Sequence, residues 1–168
     1  AMNVFEQVQN LGIDIKFADV KKIELVADKK IVKTENEEFI CDNVIVATGR
    51  NPRELLLPHE KELIGHGISY CALCDGSFYK DKDVAIIGGG NSALGEALYL
   101  SSICHKVYLI HRRDEYRAIS NLINTVKEKQ NIELITNSNI TKLNEKDGYL
   151  NSIIINDNKQ INVSCVFI

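Results

Sequence analysis

Proline is scarce in this chain: there are two, Pro52 and Pro58, and both fall between residues 50 and 67. That stretch also shows little periodicity, so it reads as a linker and a candidate domain boundary. No apolar run is long enough to span a bilayer, and no signal peptide opens the chain. An excess of positive charge is missing too. Twenty Lys and Arg stand against 23 Asp and Glu, for a net charge of −3, which gives no footing for nucleic acid or an anionic membrane surface. Internal repeats and low-complexity segments are absent. What is left is a soluble, cytoplasmic globular protein, and 168 residues suit one or two domains with a real core. Both ends look cut. Ala1-Met2 is no natural start and reads as a cloning scar or a processing site, and Cys165-Val166-Phe167-Ile168 reads as the middle of a strand.

The most informative stretch is Asp83 to Arg117, DVAIIGGGNSALGEALYLSSICHKVYLIHRRDEYR. Val84-Ala85-Ile86-Ile87 is a short β-branched run that suits a buried parallel strand. After Gly88-Gly89-Gly90 the spacing turns helical, with Leu94, Leu98 and Ile103 on roughly one side. Lys106 to Ile110 is a second apolar strand, which makes a right-handed βαβ unit. Gly88, Gly90 and Ala93 fit G-x-G-x-x-G/A, the dinucleotide fingerprint. The first glycine permits a tight turn, the second lets the backbone approach a pyrophosphate, and Ala93 keeps the helix close to the sheet. The helix N-terminus offers N–H groups and partial positive charge to phosphates. The competing reading is a turn whose glycines serve packing alone.

At the end of the second strand, where an NAD site usually places an acid for the ribose 2′-hydroxyl, this chain has His111-Arg112-Arg113 and then Arg117. Guanidinium groups grip phosphate oxygens in a fork. Each charge-assisted bond contributes about 1.5–3 kcal/mol, so two or three would favour NADPH over NADH by orders of magnitude. Asp114 and Glu115 stand between the arginines and compete for them as ion-pair partners.

Elsewhere the chain reads as a short helix from Val4 to Leu11, then a half-buried strand over Ile13–Phe17. Strands near Lys22–Val26, Ile31–Val32 and Phe39–Cys41 follow as a small antiparallel meander. Asn43 to Ala47 reads as a compact apolar strand ending in Thr48-Gly49, which can bring backbone against a ligand or be an ordinary strand end. Past Arg117 the pattern gives a helix over Ala118–Lys129 and a third parallel strand over Ile132–Ile135. Antiparallel strands are expected at Thr141–Leu143, Leu150–Ile155 and Gln160–Ile168.

Cys71-Ala72-Leu73-Cys74 is a C-x-x-C just before Asp75-Gly76. As half of a zinc site it needs a second ligand pair. Cys41, Cys104 and Cys165 are isolated and read as small buried hydrophobes, and His59 and His66 have no regular spacing. A redox pair fits better: two cysteines three apart on a helical turn can close a disulfide, and a helix N-terminus lowers a thiol pKa. Asp75 is placed to give or take the proton that this chemistry moves, or is simply a turn residue. A nicotinamide gives a hydride and a disulfide takes two electrons, and a flavin usually stands between them. No second G-x-G-x-x-G occurs in the chain, so the flavin site points to a larger protein.

Taken in order, Val46-Ala47-Thr48-Gly49 with Pro52-Arg53, Gly67-Ile68-Ser69-Tyr70-Cys71-Ala72-Leu73-Cys74-Asp75-Gly76, Gly88 to Ala93, and His111-Arg112-Arg113-Asp114 with Arg117-Ala118 resemble the bacterial-type, low-molecular-weight thioredoxin reductases. The resemblance implies an α/β, Rossmann-like FAD/NAD(P)-binding fold, with a βαβαβ parallel sheet and an antiparallel meander. Residues 1–50 would be part of an FAD domain and residues 51–168 an NADPH domain carrying the redox cysteines. Cys74 would meet the flavin, Cys71 would attack thioredoxin or a thioredoxin-like protein, and Asp75 would donate the proton. Gly90, Asn91, Ser92 and Ala93 would line the pyrophosphate. Arg112, Arg113 and Arg117 would hold the 2′-phosphate with His111 beside it, and Thr48 and Gly49 would touch FAD. Electrons would run from NADPH to FAD, to Cys71–Cys74, to thioredoxin, in an intact protein that is a homodimer. The NADPH domain would rotate about a hinge near Pro52.

Two departures stand out. Leu73 replaces a small polar residue common in the family, and Gly95 replaces a common acid, at a cost of about 1 kcal/mol against alanine in a helix. Two alternatives remain: a non-catalytic NADP-binding module, and the flavoprotein component of alkyl hydroperoxide reductase. The second is disfavoured by the basic cluster, because that family resembles an NADH user. A ferredoxin-driven flavin reductase is disfavoured by the intact glycine turn and the arginines. Lacking most of an FAD site, the chain alone is expected to be inactive.

Overall fold

The computed structural model describes residues 2–49 and 51–168. Ala1 and Arg50, the first residue of the expected linker, lie outside them. The chain divides into two compact units, residues 1–50 and 51–168.

The first unit opens with helix α1, Met2–Asn10, which stops at a Leu11-Gly12 turn. Strands β1 (Lys22–Val26), β2 (Lys29–Lys33) and β3 (Glu38–Cys41) form an antiparallel meander in sequence order. Its hairpins are locally specified. Ala27-Asp28 closes the first, with Val26 opposite Lys29. In the second, the Thr34 and Glu37 backbones pair at 2.9 Å and Thr34 Oγ1 accepts from Glu37 N–H at 3.0 Å. Lys33 reaches Glu24 at 3.1 Å and Glu38 at 3.3 Å across the sheet, which raises the lysine pKa and lowers that of Glu24.

Two expected strands do not form. Residues 13–17 and 43–47 are irregular, and Ile45 is 92% exposed. Alternation marks a residue run as able to be a strand, but a strand exists only when an edge is offered to it. Within the described residues of this unit, neither segment pairs with an outer edge of the meander, at β1 or β3. Cys41 is likewise not buried as expected; it is half-buried, with its sulfur 3.5 Å from the Lys30 carbonyl.

The second unit is built on a five-stranded parallel sheet. Its strands are β4 (Ile68–Ser69), β5 (Asp83–Ile87), β6 (Lys106–Ile110), β7 (Ile132–Ile135) and β11 (Cys165–Phe167), in the order β4-β11-β5-β6-β7. Helix α3 (Asn91–Ser101) links β5 to β6, and α4 (Ser120–Lys127) links β6 to β7. A three-stranded antiparallel sheet, β8 (Ile140–Lys146), β9 (Tyr149–Ile155) and β10 (Lys159–Asn162), is paired in the order β10-β9-β8.

Strand alternation explains why apolar residues stand at consecutive positions in the parallel strands. Val84, Ile86, Val107, Leu109, Cys165 and Phe167 join one core with Leu94, Ala97 and Leu100 of α3. Their neighbours Ala85, Ile110 and Val166 turn the other way, into a second core with Leu143, Ile153 and Ile155 of the antiparallel sheet. A sheet covered on both faces needs hydrophobic residues at consecutive positions.

The same principle corrects the reading of the C-terminal stretch. Residues 160–168 are not one antiparallel strand. β10 pairs antiparallel with β9, the chain breaks at Val163-Ser164, and β11 enters the parallel sheet between β4 and β5. β10 buries one residue in four, whereas β11 buries all three. Only the two-sided central position accommodates the latter.

The stretch from residue 51 to 67 is also more than a linker. Glu60 is buried, and its carboxylate accepts the backbone N–H groups of Leu55 and Leu56, both at 2.7 Å, and the Tyr70 hydroxyl at 3.2 Å. One acidic side chain thus gives a non-periodic segment a fixed shape.

Candidate functional site

The glycine turn lies between β5 and α3, at the carboxyl ends of the parallel strands, where ligands of such sheets bind. Gly88 N–H donates to the Ile110 carbonyl at 3.0 Å, and its φ of +150° lies where side chains are strained; a Cβ there would also strike Ala93. A Cβ on Gly89 would collide with the His111 ring. Gly90 is different: it caps α3 in extended conformation, φ −101°, and a Cβ there would meet no atom within 4 Å. The first two glycines are therefore required by the protein's own packing. The third leaves open space before the first turn of α3, whose N–H groups receive no side-chain cap. Asn91 and Ser92 are exposed on that turn, and Ala93 is buried against Gly88.

Arg112, Arg113 and Arg117 are all exposed, and among the described residues none of them forms an ion pair. Asp114, a possible competitor, instead accepts from the Asn137 amide at 3.3 Å. The loop that carries the arginines is tied to the glycine turn, since Arg117 N–H donates to the Gly89 carbonyl at 2.7 Å.

His111 is placed apart from them. It is buried beneath Gly89, stacked on Tyr116 with ring centres 5.3 Å apart, with Nε2 3.2 Å from the Glu115 carbonyl. A carbonyl can only accept, so Nε2 carries the proton. Burial lowers the imidazole pKa, and the charges of Arg117, Arg113 and Arg112 lower it further. His111 is thus a neutral support for the turn.

The cysteine pair sits at the other functional segment of the same unit. Cys71 and Cys74 form a disulfide around a single helical turn, α2 (Ala72–Asp75), which runs into a 3₁₀ turn at Gly76–Tyr79. Cys71 is the N-cap, its sulfur accepting from Cys74 N–H at 3.2 Å. Cys74 is exposed and Cys71 half-buried. With both sulfurs in a disulfide no thiolate is left for a metal, and among the described residues no group of three or more His, Cys, Asp or Glu converges as a metal site would need. The remaining deep thiols are inert: burial pushes Cys165 up to about 12 and Cys104 up to about 11.

Asp75 is held by a residue to which the spacing of chemical groups gave no role. Ser69, buried at the end of β4, donates its hydroxyl to Asp75 Oδ2 at 2.6 Å and accepts from Cys71 N–H at 3.1 Å. Next to it, the Tyr70 hydroxyl is anchored on Glu60, and burial raises its pKa. The only signal for Ser69 was its position two residues before a cysteine and six before an acid.

Thr48 and Gly49 lie in the other unit and are exposed, Gly49 with a φ of +74°. No helix among the described residues is long and apolar enough to cross a membrane.

Over 154 residues the chain is 34% identical to a thioredoxin reductase of Bacillus subtilis, covering 92% of this chain and 49% of that one. Over 151 residues it is 47% identical to a thioredoxin reductase of Buchnera aphidicola, covering 82% and 45%. The solved structure of a thioredoxin reductase from Giardia duodenalis superposes with a TM-score of 0.81 at 31% identity, covering 99% of this chain and 56% of that one. The chain thus spans about half the length of the curated relatives it matches. The family described as pyridine nucleotide-disulphide oxidoreductase matches residues 2–168, and the chain belongs to it.

Proposed function

We propose that this chain is the NADPH-binding and redox-disulfide portion of a thioredoxin-disulfide reductase, with residues 1–50 contributing part of its FAD domain and residues 51–168 forming its NADPH domain. The observation that carries the reading is the presence, on one compact unit, of a glycine turn open at Gly90, three unpaired arginines on the loop tied to it, and an accessible Cys71–Cys74 disulfide beside a carboxylate. The residues fit NADPH. Gly90, Asn91, Ser92 and Ala93 present the backbone to the pyrophosphate, and Arg112, Arg113 and Arg117 offer their guanidinium groups to the 2′-phosphate, His111 supporting the turn from below. The free arginines favour NADPH over NADH, and with it this reading over an alkyl hydroperoxide reductase component.

FAD in the intact protein would supply the relay between a hydride and a disulfide. Of this chain's residues Thr48 and Gly49 are the ones offered to it, and they do not make a cradle by themselves. The cysteines do the rest. Opening the disulfide takes two electrons and two protons; Cys74, exposed, faces the donor side, and Cys71 attacks the disulfide of thioredoxin or a thioredoxin-like protein. Asp75, oriented by Ser69, gives or takes the proton. Leu73, 68% exposed between the cysteines, adds an apolar contact to a protein partner. The intact protein is read as a cytoplasmic homodimer on the family resemblance.

A direct test needs no flavin. Thioredoxin carrying one cysteine as its mixed disulfide with thionitrobenzoate is added to the reduced Cys74→Ser variant. Attack by Cys71 forms the protein–protein disulfide and releases one thionitrobenzoate. A covalent adduct with Cys74→Ser and none with Cys71→Ser is expected. Equal trapping by both, or by neither, would refute the assignment of the nucleophile.

A further inference from the structure

The basic loop between β6 and α4 is anchored at its start by the chain of β6, and by His111 wedged under Gly89. In its middle, Asn137 N–H donates to the Arg113 carbonyl at 3.2 Å. Its far end is tied twice to the glycine turn. Arg117 N–H meets the Gly89 carbonyl at 2.7 Å, and two residues on, Ile119 N–H meets the side-chain oxygen of Asn91 at 2.9 Å. Ile119 is the N-cap of α4 and has no capping side chain of its own. Among the described residues, Asn91 is thus the one side chain of the glycine turn hydrogen-bonded to the arginine loop, and it is engaged through its acceptor atom.

That geometry gives Asn91 a task other than lining the pyrophosphate. We propose that Asn91 is a positioning residue for cofactor choice: by holding Ile119, it fixes the segment carrying Arg117 against the glycine turn and so favours NADPH over NADH. The proposal rests on the reading of the basic loop as a 2′-phosphate site. Arginine side chains on a free loop lose backbone and rotamer freedom on gripping a phosphate, and that loss subtracts from affinity; a loop already fixed has less to lose. NADH has no 2′-phosphate and makes no demand on the loop. A fault in the anchor should therefore weaken NADPH selectively, whereas a lost pyrophosphate contact would weaken both cofactors alike.

The experiment is calorimetric titration of the 168-residue chain with NADPH and with NADH, for the parent and for Asn91→Ala, Arg113→Ala and Arg117→Ala. Asn91→Ala is expected to weaken NADPH about fivefold, the value of one ordinary hydrogen bond, and to leave NADH within a factor of about two. NADH binding serves throughout as the check that the turn is folded. Equal loss of both cofactors in Asn91→Ala, or no loss of either, would overturn the proposal. The arginine variants separate its failure from that of the underlying reading. If they lower NADPH affinity while Asn91→Ala leaves the ratio intact, only the Asn91 role is wrong. If they leave NADPH untouched, the 2′-phosphate site is wrong and the Asn91 role falls with it.

Discussion

The two units of the chain hold their shape by different means. Among the described residues, every buried apolar side chain lies between Leu63 and Phe167, inside the second unit. The first unit has a helix and a three-stranded meander of residues that are half-buried at most. Its order comes from hairpin turns and cross-strand pairs such as Lys33 with Glu24, partly solvated contacts that contribute little to stability. Leu25, Ile40, Ile45 and Val46 stay exposed. The difference teaches that local rules of turn and pairing can write a meander without a core, while a parallel sheet exists only once both of its faces are covered.

The sharpest way to break this contrast is to remove one large side chain from each unit. Phe167 is fully buried in β11, an interior strand of the parallel sheet. Phe167→Ala should cost about 3–5 kcal/mol, whereas Val46→Ala in the first unit should stay within about 0.5 kcal/mol. Urea unfolding of both variants measures this. Equal shifts would mean that Val46 is covered by something the contrast omits.

Next in size is Ser69, where structure and chemistry meet. Its hydroxyl serves Asp75 and the Cys71 amide together. Ser69→Ala should destabilise the second unit by about 1–3 kcal/mol through those unsatisfied groups, and should slow thioredoxin trapping by Cys71 in the Cys74→Ser background. Stability lost with trapping unchanged would leave Ser69 a purely structural residue.

Much of this was legible in the residues. The β5–α3–β6 unit, the C-x-x-C and the arginines announce themselves, because local geometry and charge are written in short motifs. What stayed hidden was decided by partners far away in sequence. Residues 13–17 and 43–47 have strand patterns and, among the described residues, pair with no strand. Cys165-Val166-Phe167 continues an antiparallel hairpin in sequence but belongs to the parallel sheet, because Val84 and Ile68 flank it. Glu60 looks like one more surface acid until Leu55, Leu56 and Tyr70 fold around it. His111 stands in a basic run like one more surface group, and burial beneath Gly89 sets it apart.

That last reversal has a pH signature. The folded pKa of His111 is lowered by burial and by the arginines, so the unfolded chain binds its proton more tightly. Stability must then rise with pH through the unfolded value near 6.5 and fall as the solution is acidified from there towards the lower folded value. Urea midpoints measured from pH 7.5 down to pH 5.5 should decline in the parent, and the His111→Gln variant should show a shallower decline. Identical slopes would show that the histidine titrates freely, as a surface residue of the first unit would.

The smallest effect contrasts three glycines within one βα segment. Gly95 lies in the middle of α3, exposed, and a Cβ there would meet nothing within 4 Å. Its freedom is of no use to the packing, so Gly95→Ala should raise stability by about 0.5–1 kcal/mol, seen as a rise of a few degrees in Tm. Gly89→Ala should do the reverse, because its Cβ would be driven into the His111 ring. Gly90→Ala separates the two kinds of constraint. No protein atom opposes its Cβ and its φ is one that alanine adopts, so folding should be unaffected. If the space before α3 belongs to a pyrophosphate, the same methyl group should weaken NADPH and NADH together. A Gly90→Ala variant that folds and binds both cofactors normally would mean that the open space at Gly90 is not the pyrophosphate's.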